Sequence, residues 1–283
     1  MKLARFLFDG VVSLGLVQED EVVRRLGDDY RSVAAALGDP RAAERSAAAS
    51  DSLPLAAVTL LAPVDETARV FAVAQNYQAH AQEVSGTEAP PAPVIFLKPR
   101  SALIGAGEAI ELPPITDFLD YEAEVAVVVA KTARRVDEQA AADAVFGVTC
   151  FNDVTARDLQ AAVLGGKELI DWFSAKSLDR SSPIGPWIVS LDELEGDLAD
   201  LGLRCRLNGE LVQEDRSSSM VSSVPRLLSF ISHRVALMPG DVIATGTPGG
   251  VGRARGVKLR ERDVVEVEVE GVGVLRNKVA AVA

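Results

Sequence analysis

Cysteine, histidine and aromatic side chains are all scarce in this 283-residue chain, which holds two Cys, two His and 5% Phe, Trp and Tyr. Cys150 and Cys205 lie in separate strand-like apolar runs. Their spacing supports neither a disulfide framework nor a zinc site, so each reads as a small buried hydrophobe. With only His80 and His233 present, imidazole chemistry has two addresses. Positive charge is also short. A net charge of −12 excludes a nucleic-acid partner, because phosphate recognition needs concentrated cations. No apolar run approaches the ~18 residues that cross a bilayer, so no membrane partner is expected. The opening segment, residues 1–10, has an acid at Asp9 and no long apolar stretch; it is not a secretory leader, and the chain reads as cytoplasmic. What remains is an ordinary globular composition, 48% hydrophobic and 25% charged. The length suits one large domain, or a large one with a small one.

The pattern along the chain predicts a small N-terminal α/β domain over residues 1–62 and a catalytic domain over 63–283. In the first, strand-like pieces (Arg5 to Phe8, Val11 to Leu16) lead to an Ala-rich helical stretch from Arg31 to Ser50. Leu60 to Thr67, with a proline and two adjacent acids, reads as a linker. Beyond it, strands are expected at Val70–Ala74, Val94–Lys98, Tyr121–Lys131, Ala144–Asn152, Ile184–Ser190 and Leu203–Leu207. The last is hairpinned to Leu211–Gln213 across Asn208-Gly209. Helices are expected at Asn76–Val84, stopped by Gly86, and at Val224–His233. A strand at Val242–Thr245 and a closing hairpin turning at Gly271 complete the series. Many strands, few helices and no regular β-α-β alternation indicate a β-rich α+β fold.

Chemistry starts with Glu122 and Glu124. Residues two apart on a strand point to one face, so both carboxylates converge. The run that follows, Val125 to Val129, is apolar on both faces and heads into a core. Two carboxylates at the edge of a core repel and lose hydration, and a divalent cation is the simplest compensation. Asp153 would complete a three-carboxylate oxygen site suited to Mg²⁺ or Mn²⁺. Glu266, Glu268 and Glu270 also alternate, but valines fill every gap, the pattern of a strand with one wet face.

His80 stands three residues before Glu83 on a predicted helix, so the two share a face. Glu83 can orient the imidazole as a base that activates water, and the polar segment can serve as a lid. His233 falls at a helix end and reads as a surface or capping residue. Lys176 lies in a short polar patch upstream of the Ile184 strand. The glycine-rich turn from Thr245 to Gly252 lacks the ending of a phosphate loop and is not expected to bind nucleotide. Its amides at a strand end can still hold a carboxylate.

An ordered series of motifs then resembles one family, the fumarylacetoacetate hydrolase family, from about Val70 to the C-terminus. The series runs Asn76-Tyr77-x-x-His80-x-x-Glu83, Phe96-Leu97-Lys98-Pro99, Ser101 to Gly105, Asp120-Tyr121-Glu122-x-Glu124 and Asn152 to Gln160. It continues through Lys176-Ser177, Gly185-Pro186-Trp187, Asn208-Gly209-Glu210, Pro239 to Ile243 and Thr245 to Pro248. The resemblance implies a β-roll or sandwich around a metal, with a small N-terminal domain and usually a homodimer. It implies Glu122, Glu124 and Asp153 as ligands of Mg²⁺ or Mn²⁺, His80, Glu83 and Lys176 as catalytic residues, and Arg157, Gln160 and Thr247 near a small keto-acid substrate. The expected reaction is hydrolysis of a C–C bond in a 2,4-dioxo acid (an acylpyruvate). Oxaloacetate-type decarboxylation and keto–enol tautomerisation are alternatives on the same platform. Departures from the family pattern fall at Ala74, Gln75, Leu178 and Arg180. The segment Ala161 to Asp171 is expected to line the pocket, with Lys167 or Arg180 as partners for an acidic distal group.

Overall fold

Valines on both faces of one strand are accommodated only where the strand is covered on both sides. In the computed structural model, which describes residues 1–19, 21–27, 30–39, 41–42, 44 and 52–282, the strand Ala123–Val129 is buried at every position. It lies in a 12-stranded sheet between Val145–Asn152 and Val242–Ala244. On one side the sheet continues through Val70–Ala74 to Val94–Lys98. On the other it passes through Ser182–Ser190 to the N-terminal strand Lys2–Phe8.

Period-two alternation sorts this strand between two cores. Val125, Val127 and Val129 meet a second sheet, of order Glu210–Arg216, Gly202–Leu207, Val264–Val269, Gly273–Ala281 and Ala109–Leu112. Cys205, Val265, Val267 and Leu275 come from that side, with Leu227, Leu228 and Ile231 of the helix Val224–Ser232. Ala126 and Val128 face the opposite core with Phe151, Ile184 and Ile188. Each buried valine contributes roughly 1.5–3 kcal/mol of transfer free energy, which fixes the register: a slip of one residue would exchange the two faces. The result is the expected β-rich α+β architecture. Glu266 and Glu268 lie on the wet face of their strand, paired with Arg276, Arg204 and Arg206.

Several elements differ from the sequence reading. The helix begins at Gln78 and ends at Ser85, with Gly86 left-handed (φ 66°) and its N–H on the Gln82 carbonyl. The N-terminal unit has a third strand, Val22–Arg25, beyond the two expected. A helix occupies Val33–Gly38, and most of the Ala-rich stretch after it lies outside the described residues. The stretch read as a linker is fastened down. Thr59–Leu61 pairs with Arg5, Phe6 and Leu7. Asp65 accepts the N–H groups of Val33 (2.7 Å) and Ala34 (3.0 Å) at the start of that helix, satisfying donors the helix cannot pair internally. A hairpin not anticipated, Ala161–Leu164 with Lys167–Ile170, turns on Gly165 and Gly166, both at positive φ.

Candidate active site

Glu122 falls just before the strand that carries Glu124, not within it. Its place is set by bonds to the adjoining chain. The Glu122 N–H donates to Asn152 Oδ1 (3.0 Å) and its carbonyl accepts the Asp153 N–H (2.8 Å). Glu124, on the strand, pairs in register with Phe151. These links bring the carboxylates of Glu122, Glu124 and Asp153 together, with ligand oxygens within 4.8 Å of one another and all three residues buried.

Three cations share the burden of these acids. Lys176 Nζ donates to Glu122 Oε2 (2.6 Å) and Asp153 Oδ2 (2.7 Å). Lys98 Nζ lies 2.7 Å from Asp153 Oδ1. Arg157 joins Glu122 Oε1 (2.6 Å) to Asp120 Oδ2 (2.8 Å). Lys176 is therefore no surface lysine: it closes the short helix Trp172–Lys176 and is buried. Lys98 and Asp120 are functional neighbours that the sequence reading did not single out. A lysine among apolar strand residues is an ordinary snorkelling residue until the fold turns it inward. Asp120 is anchored further by the N–H groups of Gly252 (2.7 Å) and Arg253 (3.0 Å).

The charges do not balance evenly. Burial raises the Glu122 carboxyl, but Lys176 and Arg157 outweigh it and hold the group well below the ordinary carboxylate range. Glu124 is pushed well above that range by burial and by the nearby Asp153 and Glu122 charges. Among the described residues no lysine or arginine forms an ion pair with it; its hydrogen bond is from the Gly246 N–H (2.9 Å). A buried carboxylate facing two others with one backbone donor is a site with unspent negative charge. Three converging carboxylate oxygens suit a hard divalent cation, and such an ion would relieve the repulsion at Glu124. The residues fit a divalent metal.

His80 is buried on its helix, with Nδ1 3.2 Å from Glu83 Oε1. Glu83 is held from behind by the Gly250 N–H (2.8 Å) and, more weakly, by the Val251 N–H (3.4 Å). Burial raises the Glu83 carboxyl; hydrogen bonds from His80 and Gly250 overcome this and leave it below its ordinary value. The glycine-rich turn thus holds carboxylates, as its amides allowed, and they are the protein's own Glu83 and Glu124. Gly246 cannot carry a side chain: its φ is +98° and a Cβ would lie 2.8 Å from the Asn76 Cβ.

These groups line one cavity of about 390 Å³, reached by Glu122, Asp153, His80 and Lys176. Arg157, Gln160 and Thr247 also line it; Gln160 Oε1 is buried without a partner, and Thr247 Oγ1 accepts from Gln213 (2.9 Å). One wall is aromatic, where Phe96 and Trp172 stack at 4.8 Å, and Lys176 Nζ lies 5.5 Å from the Phe96 ring. Ala161, Glu168, Leu169 and Ile170 of the unanticipated hairpin form part of the rim. The cation expected from that region is placed differently. Arg180 is taken up by Glu108 (3.2 Å) and Glu111 (2.8 Å) and does not line the cavity, nor does Lys167. Arg253 lines it instead.

The family model described as fumarylacetoacetate (FAA) hydrolase, C-terminal, matches residues 69–280. The chain belongs to the fumarylacetoacetate hydrolase family. A second family model, Rv2993c-like, N-terminal, matches residues 1–63. Among curated relatives, the mitochondrial oxaloacetate tautomerase FAHD2B of Bos taurus is 39% identical over 229 residues, 80% of this chain and 71% of that one. Among solved structures, fumarylacetoacetate hydrolase from psychrophilic Exiguobacterium antarcticum aligns over the whole of both chains at 33% identity and a TM-score of 0.83. Maleylpyruvate hydrolase from Sphingobium sp. SYK-6, solved with manganese(II) and pyruvate, does so at 28% and 0.81. The fumarylacetoacetate hydrolase family therefore spans hydrolases and a tautomerase. Among the described residues of this member, no helix is long and apolar enough to cross a membrane.

Proposed function

We propose that this chain hydrolyses the C3–C4 bond of a 2,4-dioxo acid, giving pyruvate and a carboxylic acid, with Mg²⁺ or Mn²⁺ held by Glu122, Glu124 and Asp153. The observation that carries the reading is that His80, oriented by Glu83, lines one 390 Å³ cavity together with Glu122 and Asp153 of the carboxylate cluster. A bound divalent cation supplies Lewis acidity toward the carboxylate and 2-oxo oxygens of the substrate.

The chain's own groups supply the rest. With Nδ1–H donated to Glu83, His80 keeps Nε2 as a base. Nε2 takes a proton from water, and the water oxygen bonds to C4 of the distal ketone. The C3–C4 bond then breaks with its electron pair moving toward C3, and the imidazolium returns a proton there. The carboxylic acid and pyruvate leave. Lys176, fixed by Glu122 and Asp153, holds positive charge beside the reacting acid. The Phe96–Trp172 wall and the helix that carries the buried His80 limit water to what the cavity admits.

A second reading is keto–enol tautomerisation of oxaloacetate. The 39% identity to an oxaloacetate tautomerase favours it, and the same His80 would move a proton at C3 without water attack. Product analysis by NMR separates the two, using acetylpyruvate and oxaloacetate with Mg²⁺-loaded and EDTA-treated protein. Metal-dependent acetate plus pyruvate, reduced at least a hundredfold in His80→Asn, is the expected result. Metal-dependent proton exchange at C3 of oxaloacetate with no cleavage of acetylpyruvate would replace hydrolysis by tautomerisation. No metal-dependent turnover of either would overturn both.

A further inference from the structure

We infer that Gln213 is a positioning residue for the acid bound in the cavity: it turns the Thr247 hydroxyl so that its proton is offered to an oxygen of that acid. The inference rests on the proposed function in taking the ligand to be a 2-oxo acid. It goes beyond that reading by assigning a residue that acts on the ligand only through another.

Alternation along the strand Glu210–Arg216 would bury either Val212 or Gln213, yet both are buried. The cause is a shift of register: Cys205 pairs with Gln213 and Arg206 with Leu211, which leaves Val212 as an extra residue. A bulge of this kind re-aims a side chain. A buried amide without partners would cost stability, and here both of its ends are used. Gln213 Oε1 accepts the Ala123 N–H (3.0 Å), between Glu122 and Glu124. Nε2 donates to the Pro248 carbonyl (2.9 Å) and to Thr247 Oγ1 (2.9 Å), in the glycine-rich turn that holds Glu124 and Glu83.

The direction of these bonds is set by groups that have no choice. A backbone N–H can only donate and a backbone carbonyl can only accept. Ala123 therefore fixes the oxygen of the amide on its side, and Pro248 fixes the nitrogen on the other. Thr247 Oγ1 receives an N–H and must send its own proton elsewhere. Among the described residues that hydroxyl donates to nothing, whereas Thr245 Oγ1 in the same turn donates to the Val125 carbonyl (2.8 Å). Thr247 is buried and lines the cavity, so bulk water does not compete for the proton. An anionic oxygen in the cavity is the acceptor that the arrangement lacks. A hydroxyl already turned toward it forms a charge-assisted bond without first having to be ordered.

A double-mutant cycle tests this, read by NMR titration of pyruvate, a 2-oxo acid, into the Mg²⁺-loaded protein at pH 8. Thr247→Val and Gln213→Met should each weaken pyruvate binding about tenfold or more, and the double variant should be no weaker than Thr247→Val alone. Thr247→Ser keeps the hydroxyl and should bind pyruvate as the natural protein does. Mg²⁺ affinity, titrated separately, should change less than pyruvate affinity in every variant, which a general loosening of the site would not produce. Gln213→Glu serves where Gln213→Met does not fold. Its carboxylate keeps the shape and the Ala123 bond but must accept from Thr247, taking up the hydroxyl proton. The same loss is expected, and it should vanish once Thr247→Val is also present. An unchanged pyruvate Kd in a single variant at Thr247→Val or Gln213, or losses that add in the double variants, overturns the assignment and leaves the proposed function standing. Pyruvate that fails to bind the natural protein in a Mg²⁺-dependent manner overturns the proposed function and the assignment with it.

Discussion

Replacing Lys176 by Met removes the cation that bonds both Glu122 (2.6 Å) and Asp153 (2.7 Å) while keeping a side chain of similar length. All three groups are buried, so water cannot take over the lost role. Removing one partner of a buried ion pair costs about 3–5 kcal/mol, because the remaining charge is left uncompensated. Spread over the unfolding entropy of a 283-residue chain, that is a drop of about 5–8 °C in Tm. Thermal melts in EDTA at neutral pH should show it. With saturating Mg²⁺ the gap should narrow, since a divalent cation compensates the same carboxylates and binding to the folded state adds stability by mass action. Acidification should narrow it too. Lys176 helps hold Glu122 below its ordinary pKa, so the stabilisation is complete above that ordinary value and is lost as pH falls through the lowered one. Equal melts of the two proteins in EDTA, or a gap that Mg²⁺ leaves unchanged, would refute the account of Lys176 as a stand-in for part of the metal's charge.

Glu124→Gln should leave metal-free stability equal or higher, because Glu124 is already pushed toward its neutral form, while Mg²⁺ affinity measured by titration falls at least tenfold. In Glu83→Gln the imidazole loses its charged partner, so kcat should fall about tenfold or more with Mg²⁺ affinity retained; an unchanged kcat would remove Glu83 from the mechanism. Gly246→Ala forces a side chain at φ +98° against Asn76 and should cost about 1–3 kcal/mol in urea unfolding, together with weaker Mg²⁺ binding through Glu124.

The carboxylate cluster was legible because its signal is local. Glu122 and Glu124 are two residues apart, and Asp153 sits at the end of a neighbouring apolar run, so alternation and burial suffice to bring them together. His80 and Glu83 were equally local, three residues apart on one helix. The partners of these acids were not local. Lys98 reaches Asp153 across 55 residues of chain and Arg157 reaches Asp120 across 37; nothing in the composition around them marks an inward cation. Arg253 escaped for the same reason, since its place depends on the turn at Gly250–Gly252 rather than on any periodicity. The hairpin at Ala161–Ile170 did carry a signal, the paired Gly165-Gly166, within a segment read only as pocket lining. Leu60 to Thr67 misled because proline and acids resemble a connector; Asp65 uses its charge to cap a helix instead.

The pairing of the first strand has a consequence for how the chain folds. Lys2–Phe8 pairs with Val11–Gln18 and Thr59–Leu61, contacts that close within about sixty residues and form as soon as that length is free. Lys2 and Leu3 also pair with Val189 and Ile188, which lie far along the chain. At a synthesis rate of about 5–20 residues per second, roughly 6–26 s separate the two events during translation. Through that interval the N-terminal ladder carries an open backbone edge, and the central sheet gains this extension only after most of its strands have emerged. Lys2 places a charge on that waiting edge, the kind of residue that discourages pairing with a strand from another chain.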